Sequence, residues 1–318
     1  MKQFFFYILL LAGLQLQAQK LTPAELKDFR TRQDSLKHLA YKIINDESAA
    51  VRFRSDSTFT KILVRALVKK NSFLFPFDSL VTISKLYDED STFRIFTWQV
   101  VRDDNYCRQR GFIQKKTQDG SLRLFPLIDQ SEFTKAPVDT IANHFGWIGA
   151  VYYRIVTTEH AGKKYHTLFG YDENNARSTK KWMDVLWFDE TGAPVFGLKN
   201  AFSYATDSIP KPPTNRFLVE YKKDGRARVQ YDEEAGMIIY DHLISESNEP
   251  QKKYTLIPDG DYEGFVWKNG QWIHIDKVFD FKLKDGEAPV PTPFTEDKLP
   301  PKQTPPKPPV KKKPGGGN

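Results

Sequence analysis

The sequence predicts an α+β protein: an N-terminal helical segment, a large antiparallel β-sheet system of meander or sandwich type, and a disordered tail rich in proline and lysine. Apolar residues recur at helical spacing only between residues 22 and 70. From residue 76 the chain consists of short segments rich in β-branched and aromatic residues, separated by glycine turns. Parallel strands need crossovers of about a dozen residues, and no later segment has a helical pattern of that length. The strands are therefore expected to be antiparallel.

Two helices are predicted in the first segment. Thr22, Pro23 and Glu25 form a start signal, because threonine caps a helix, proline fits its first turn, and glutamate can bond back to the cap. The apolar spacing that follows continues to about Asn45. A second helix is predicted over residues 57–70, which carry one apolar stripe. The two helices are expected either to form a small module or to lie against the sheet.

The β region is predicted to be a series of hairpins. Several of its turns contain Asn-Gly or Asp-Gly, whose positive φ angles suit tight hairpins. The predicted strands are 79–86 and 92–101, followed by the pairs 111–118 with 121–127, 151–159 with 164–171, 182–188 with 193–196, and 262–267 with 271–275, and by a meander of 216–221, 227–231 and 237–242. The irregular turn spacing leaves a sandwich, a barrel and an open sheet as alternatives.

The N-terminus has the features of a secretory signal peptide. Lys2 precedes an apolar run over residues 4–14, and Ala18 provides a small residue at the expected cleavage position. The run is shorter than the roughly 20 residues of a spanning helix, and no cysteine follows it that could accept lipid. We therefore expect export to the periplasm or the medium, no lipoprotein, and no transmembrane segment after cleavage. The predicted organisation is a signal peptide 1–18, a helical segment 19–75, a β-rich domain 76–283 and a tail 284–318.

The basic character of the chain is concentrated in that tail. Of the formal charge of +7, five charges lie in the last twenty residues and one is Lys2, which leaves +1 on residues 19–298. No basic stripe of the kind that binds nucleic acid is expected on the folded part. Ten of the twenty prolines lie in residues 288–318, so the tail is predicted to be disordered. It is either a solvated spacer or a contact to an anionic envelope polymer.

Candidate sites for chemistry are few. Residues 259–264 match the start of a calcium loop, but the twelfth position is Gly270 instead of an acid, so an acidic surface turn is expected there. His160 and His166 flank a turn and lack further zinc ligands. No nucleophile motif and no phosphate loop is present. We therefore assign no catalytic residue and predict no cofactor and no metal, although two distant carboxylates could still serve a glycosidase.

Cys107 and the aromatic residues are the remaining candidates. Cys107 is the only cysteine, so it forms no internal disulfide. It is expected to be a half-buried residue at a strand end, with a reactive thiol as the alternative, because basic neighbours lower a thiol pKa. Alternation places Trp182 and Trp187 on opposite faces of one strand, and Trp267 and Trp272 are expected to pack as a cross-strand pair. Core packing explains most aromatics, with a sugar- or peptide-binding patch as the alternative.

Three blocks of the sequence resemble a family of uncharacterised secreted or periplasmic proteins of Bacteroidota. They span roughly residues 80–276 and comprise 93–99, 106 and 111–114; 165–172, 181–188 and 194–197; and 217–221, 231–234, 238–243 and 262–265. The resemblance implies one secreted β-rich domain. It carries no known activity, ligand or catalytic residue.

Two functions are compatible with these observations. The first is a non-enzymatic exported protein that binds or scaffolds components of the cell envelope. It is favoured by the signal peptide, the hairpin series and the basic tail. The alternative is a hydrolase of polysaccharide or peptide that uses a carboxylate pair in a β-lined cleft.

Overall fold

The computed structural model describes residues 20–279, which contain two long helices and fifteen strands. The predicted signal peptide 1–18 and the predicted tail 284–318 lie outside the described residues. The helices are α1 (Pro23–Asn45) and α2 (Ala49–Leu67). The strands are β1 (Ser84–Tyr87), β2 (Phe93–Asp103), β3 (Tyr106–Lys115), β4 (Arg123–Leu127), β5 (Ala142–Asn143), β6 (Val151–His160), β7 (Lys163–Asp172), β8 (Ser178–Phe188), β9 (Pro194–Phe196), β10 (Phe202–Ser203), β11 (Phe217–Lys222), β12 (Val229–Asp232), β13 (Met237–Ser245), β14 (Leu256–Lys268) and β15 (Gln271–Ile275).

The start of α1 is confirmed, whereas the predicted start of α2 is wrong. The Thr22 hydroxyl accepts from the Glu25 N–H at 3.3 Å, and the Glu25 carboxylate accepts from the Thr22 N–H at 2.7 Å. Helix α2 begins at Ala49 instead of residue 57. Its polar first turns include Asp56, which is fully buried and accepts the Trp98 indole N–H at 2.8 Å. Because Trp98 on the neighbouring sheet provides this hydrogen bond, the helix can include a polar stretch in which the sequence shows no helical pattern.

Strands β1 to β4 form sheet I in sequential antiparallel order. Alternation along β2 sends Phe96, Trp98 and Val100 into one core with the apolar stripes of α1 and α2. Phe93 and Ile95 point to the opposite face and join a second core. The helical pair therefore lies against the sheet, which was one of the two predicted alternatives.

Sheet II contains β5 to β9 and β11, with β8 at its centre. β11 pairs with residues 178–183 of β8, and β9 pairs with residues 186–188. The prediction that residues 216–221 begin a local meander is therefore wrong, because that segment joins a strand far back in the chain. β12 does pair with β13, as predicted. All four predicted hairpin pairs are present.

Sheet III has the order β10-β15-β14-β13-β12. Its β10–β15 pair is parallel, against the prediction of antiparallel strands throughout. Each strand contributes two residues to this pair, and the chain between them forms β11 to β14. The parallel pair therefore has no helical crossover that the sequence could reveal. Trp267 lies opposite Trp272 with ring centroids 5.3 Å apart, which confirms the predicted cross-strand pair.

The four layers stack in the order helices, sheet I, sheet II and sheet III. One face of sheet II packs Leu168 and Leu186 against sheet I. The opposite face packs Phe169 and Val185 against apolar residues of sheet III such as Phe265. The sequence left a sandwich, a barrel and an open sheet as alternatives, and the structure is sandwich-like because its sheets stack face to face. None of the helices among residues 20–279 combines the length and apolar character that a bilayer crossing requires.

Candidate ligand cleft

A cleft of about 560 Å³ lies between β3 of sheet I and the ends of β7 and β8 in sheet II. Because side chains alternate along a strand, Cys107 and Gln109 of β3 face the same side as Ile113, which packs against sheet II. Asp172 of β7 lies directly opposite Lys180 of β8 in the strand register. All four polar side chains line the cleft, together with residues of the loop after β4. We call this space the polar cleft.

Asp172 and Gln109 form the floor of the polar cleft. The Gln109 amide N–H donates to Asp172 Oδ1 at 3.0 Å and to Gln99 Oε1 at 3.3 Å. The Asn174 backbone N–H donates to the same Asp172 oxygen at 3.0 Å. Gln109 is 4% exposed, and its Oε1 has no hydrogen-bond partner. Buried polar atoms are almost always paired, so this oxygen is an unsatisfied acceptor on a residue that lines the cleft.

Burial shifts the pKa values of two ionisable groups in the cleft. Burial raises the pKa of Asp172, while the Asn174 N–H and the Lys180 ammonium act in the opposite direction. Burial, followed by the charge of Asp172, raises the pKa of the Cys107 thiol to about 12. The thiol lies 3.6 Å from Asp172 Oδ1 and stays protonated at neutral pH. Cys107 is half-buried on β3, as predicted, and its raised pKa disfavours the alternative of a reactive thiol.

Asp129 fixes the loop that forms one wall of the cleft. Its Oδ1 accepts from the Ser131 N–H at 3.0 Å, the Ser131 hydroxyl at 2.5 Å and the Gly149 N–H at 3.1 Å. A Cβ atom on Gly149 would lie 2.4 Å from the Gln109 Cβ and 2.6 Å from the Asp129 Cγ. Glycine at this position therefore allows the wall and the floor of the cleft to approach each other closely. Asp129 also raises the pKa of Asp172 through its charge, as a lesser cause after burial.

A second cavity, of about 900 Å³, lies at the strand ends near Phe188 and contains aromatic and acidic side chains. His166 lines it, and burial lowers the pKa of this imidazole to about 4, so the ring is neutral at pH 7. Two of its acids have structural roles: Asp88 accepts two backbone N–H groups of its own turn, and Asp189 does the same. We call this space the aromatic cavity.

A buried polar network lies in sheet III. His274 Nδ1 is 2.8 Å from Asp207 Oδ1, and its Nε2 is 2.9 Å from Glu263 Oε2 and 2.8 Å from the Tyr240 hydroxyl. Burial opposes the charged imidazole, but the hydrogen bonds to Glu263 and Asp207 outweigh it and raise the pKa of His274. The side chain of His274 is 1% exposed. This network therefore ties a loop to three strands and does not present its histidine to a ligand.

The residues singled out from the sequence do not form a site. Residues 259–264 lie within β14, so the expected surface turn is wrong, and Asp259 pairs with His242 at 2.8 Å. His166 lies opposite Thr157 and His160 opposite Lys163, so the two histidines do not face each other. Within residues 20–279 no group of three histidine, cysteine or acidic side chains is arranged to hold a metal ion.

The predicted placement of the two tryptophans of β8 on opposite faces of the strand is confirmed. Trp182 is 3% exposed, and Trp187 is half-buried on the opposite face with its N–H donating to the Gly197 carbonyl at 3.1 Å. An exposed aromatic ring instead occurs at Phe133, which lines the polar cleft. Sequence reasoning missed this residue as well as Gln109 and Asp172. One signal was available for the last two, because each is a polar residue in phase with the core-facing positions of its strand.

Comparison with known proteins adds no family and no template to this geometry. The chain matches no family model, no curated protein and no solved structure.

Proposed function

We propose that this protein is an exported, non-enzymatic binding protein, and that its polar cleft takes a cell-envelope component rich in hydrogen-bonding groups. The observation that carries the proposal is the unpaired Oε1 of Gln109 in the floor of the cleft. An unpaired buried acceptor costs about 1–3 kcal/mol in the folded protein. A ligand that donates to it recovers this free energy on binding.

The neighbouring carboxyl group is arranged in a similar way. The hydrogen bonds that fix Asp172 within the protein all go to Oδ1. Its Oδ2 takes part in none of them, and Asp172 lines the cleft. Gln109 and Asp172 therefore offer adjacent ligand contacts on side chains that are already immobilised, which lowers the entropy cost of binding.

The cellular side of the proposal rests on the sequence. The predicted signal peptide supports export, and the predicted basic tail supports an additional contact with an anionic envelope polymer. Fractionation of cells into periplasm, outer membrane and medium tests the first point. Deletion of residues 299–318 tests the second, because it is expected to weaken envelope association at low salt without lowering the melting temperature.

The binding function is tested by titration of the protein with solubilised envelope fractions in a calorimeter. Gln109→Leu keeps the size of the side chain and removes the acceptor, so it is expected to weaken binding about 5- to 150-fold. Gln114→Leu, titrated well below its lowered melting temperature, is the matched control. Gln114 lies on the same strand with both amide atoms bonded, on the face toward the helices, and does not line the cleft. Equal binding by wild type and Gln109→Leu would refute the proposed site.

A hydrolase is the second candidate, and the raised pKa of Asp172 favours it. A carboxyl group with a raised pKa is a candidate general acid, and Asp129 supplies a second carboxyl group in the same cleft. Asp172→Asn separates the two functions. Loss of reducing-end or peptide release with retained binding would establish the hydrolase in place of the binding protein.

A further inference from the structure

We infer that the ligand of the polar cleft is an uncharged saccharide, one ring of which stacks on Phe133. This inference rests on the proposed binding function and adds the chemical class of the ligand. It follows from three features of the cleft: an exposed aromatic ring, its rigid support, and the direction of the nearby cations.

The first feature is the exposure of Phe133. Its side chain is 76% exposed although it lines a cleft whose floor consists of polar groups. A ligand that uses both surfaces must have an apolar face and an edge of hydrogen-bonding groups. A pyranose ring has this combination, because its C–H groups form one face and its hydroxyls surround the rim. The hydroxyls both donate and accept, which suits Gln109 Oε1 and the Lys180 ammonium.

The second feature is the rigidity of the loop that carries the ring. The Gln130 N–H donates to the Trp147 carbonyl at 2.8 Å, and the Phe133 N–H donates to the Gln130 carbonyl at 3.0 Å. The Thr134 hydroxyl donates to the same carbonyl at 2.8 Å. Together with the three bonds to Asp129, these contacts hold the short 3₁₀ turn Ser131–Phe133 in place. The platform is therefore formed before a ligand arrives.

The third feature is the balance of charge, which disfavours an anionic ligand such as a phosphate-bearing polymer. Arg110 pairs with Asp56 at 3.1 Å, and the Arg108 guanidinium lies 5.2 Å from the centroid of the Phe53 ring. Both arginines are thus directed toward α2 by the strand alternation. Arg108 and Arg110 border the cleft, but their charged groups contact α2, so Lys180 is the basic side chain that alternation directs to the inner face. The carboxyl groups of Asp129, Glu132 and Asp172 line the same space. This balance disfavours negative charge in the ligand.

The experiment is calorimetric titration of the full chain with uncharged oligosaccharides of four to six residues: β-1,4-glucan, β-1,3-glucan, α-1,4-glucan, β-1,4-mannan and chitin. At least one is expected to bind the wild type. Phe133→Ala is expected to weaken binding about tenfold, the scale of one aromatic stacking contact, and Phe133→Trp is expected to restore it. Phe145→Ala is the control, since Phe145 is 58% exposed and does not line the cleft.

The outcomes separate this inference from the function on which it rests. Saccharide binding that Gln109→Leu weakens and Phe133→Ala leaves unchanged overturns the stacking role alone. Binding of polyphosphate or polygalacturonate in place of every neutral oligosaccharide, still dependent on Gln109, overturns the saccharide class and leaves the proposed function standing. No binding to any probe or to any envelope fraction overturns both.

Discussion

The substitution Gln109→Leu is expected to leave the stability of the protein nearly unchanged, whereas Gln114→Leu destabilises it strongly. In Gln109→Leu the protein loses the amide bond to the Asp172 carboxylate, worth about 1.5–3 kcal/mol, the amide bond to Gln99, worth about 0.5–1.5 kcal/mol, and a weak contact with the Cys107 sulfur. It also loses the unpaired Oε1, whose burial costs about 1–3 kcal/mol. This gain offsets most of the loss, so we expect the free energy of unfolding to fall by only about 1 kcal/mol.

In Gln114→Leu nothing offsets the loss. Gln114 Oε1 accepts from the Arg94 guanidinium at 2.9 Å, and its amide donates to the Ser72 hydroxyl at 2.9 Å. Arg94 is fully buried, with four aromatic rings within 6 Å of its guanidinium carbon. An unsatisfied buried charged donor and a lost neutral bond together cost about 3 kcal/mol. For a domain of this size that corresponds to a fall of roughly 6–12 °C in melting temperature.

The assay is urea unfolding followed by tryptophan fluorescence, with thermal scans as a second readout. The comparison is internal, because both substitutions change a buried glutamine of β3 to leucine. A Gln109→Leu protein that loses as much stability as Gln114→Leu would refute the reasoning. Gln109 would then be a structural residue, and its Oε1 would no longer indicate a ligand.

Three further predictions concern side chains other than the two that form the floor of the cleft. His274→Gln is expected to cost more stability at pH 6 than at pH 9. The raised pKa of His274 makes its contribution complete below the unfolded value of about 6.5 and lost as the pH rises through the folded value; a pH-independent difference in urea midpoints would contradict this. Arg216→Leu breaks a buried ion pair with Asp184, 3.3 Å away, and is expected to cost about 3–5 kcal/mol in urea unfolding; a loss below 1 kcal/mol would show that the pair is not needed. The Cys107 thiol is expected to react with iodoacetamide at pH 8 far more slowly in the folded protein than in urea, and equal rates would contradict its burial.

The parts of the fold that the sequence predicted well depend on neighbours in the chain. The capping box at Thr22 and Glu25 involves residues three apart, and the hairpin turns at Gly162 and Gly270 have the left-handed φ angles that glycine favours. Such signals are complete within a few residues. They need no knowledge of how the sheets stack.

The parts that were wrong or missed depend on distant contacts. β11 pairs with β8, whose nearest paired residue is more than thirty positions earlier. The contact between Gln109 and Asp172 spans 63 positions and two sheets. Gln109 and Asp172 are each a polar residue in phase with the core-facing positions of its strand, and this pattern is visible in the sequence. The sequence does not show, however, that the two sheets face each other. The helical start at Ala49 was hidden for the same reason, because the partner of Asp56 lies on β2.

The position of the helical layer in the chain has a consequence for how the protein folds. A chain made from its N-terminus produces α1 and α2 before β2 and β3, so the core that buries their apolar stripes stays incomplete until Phe112 has emerged. Sheet II in turn needs sheet III, the last to be made, to cover its second face. The nascent protein therefore carries uncovered apolar surface through most of its synthesis, which favours aggregation. We expect it to depend on a holding chaperone until the final hairpin closes.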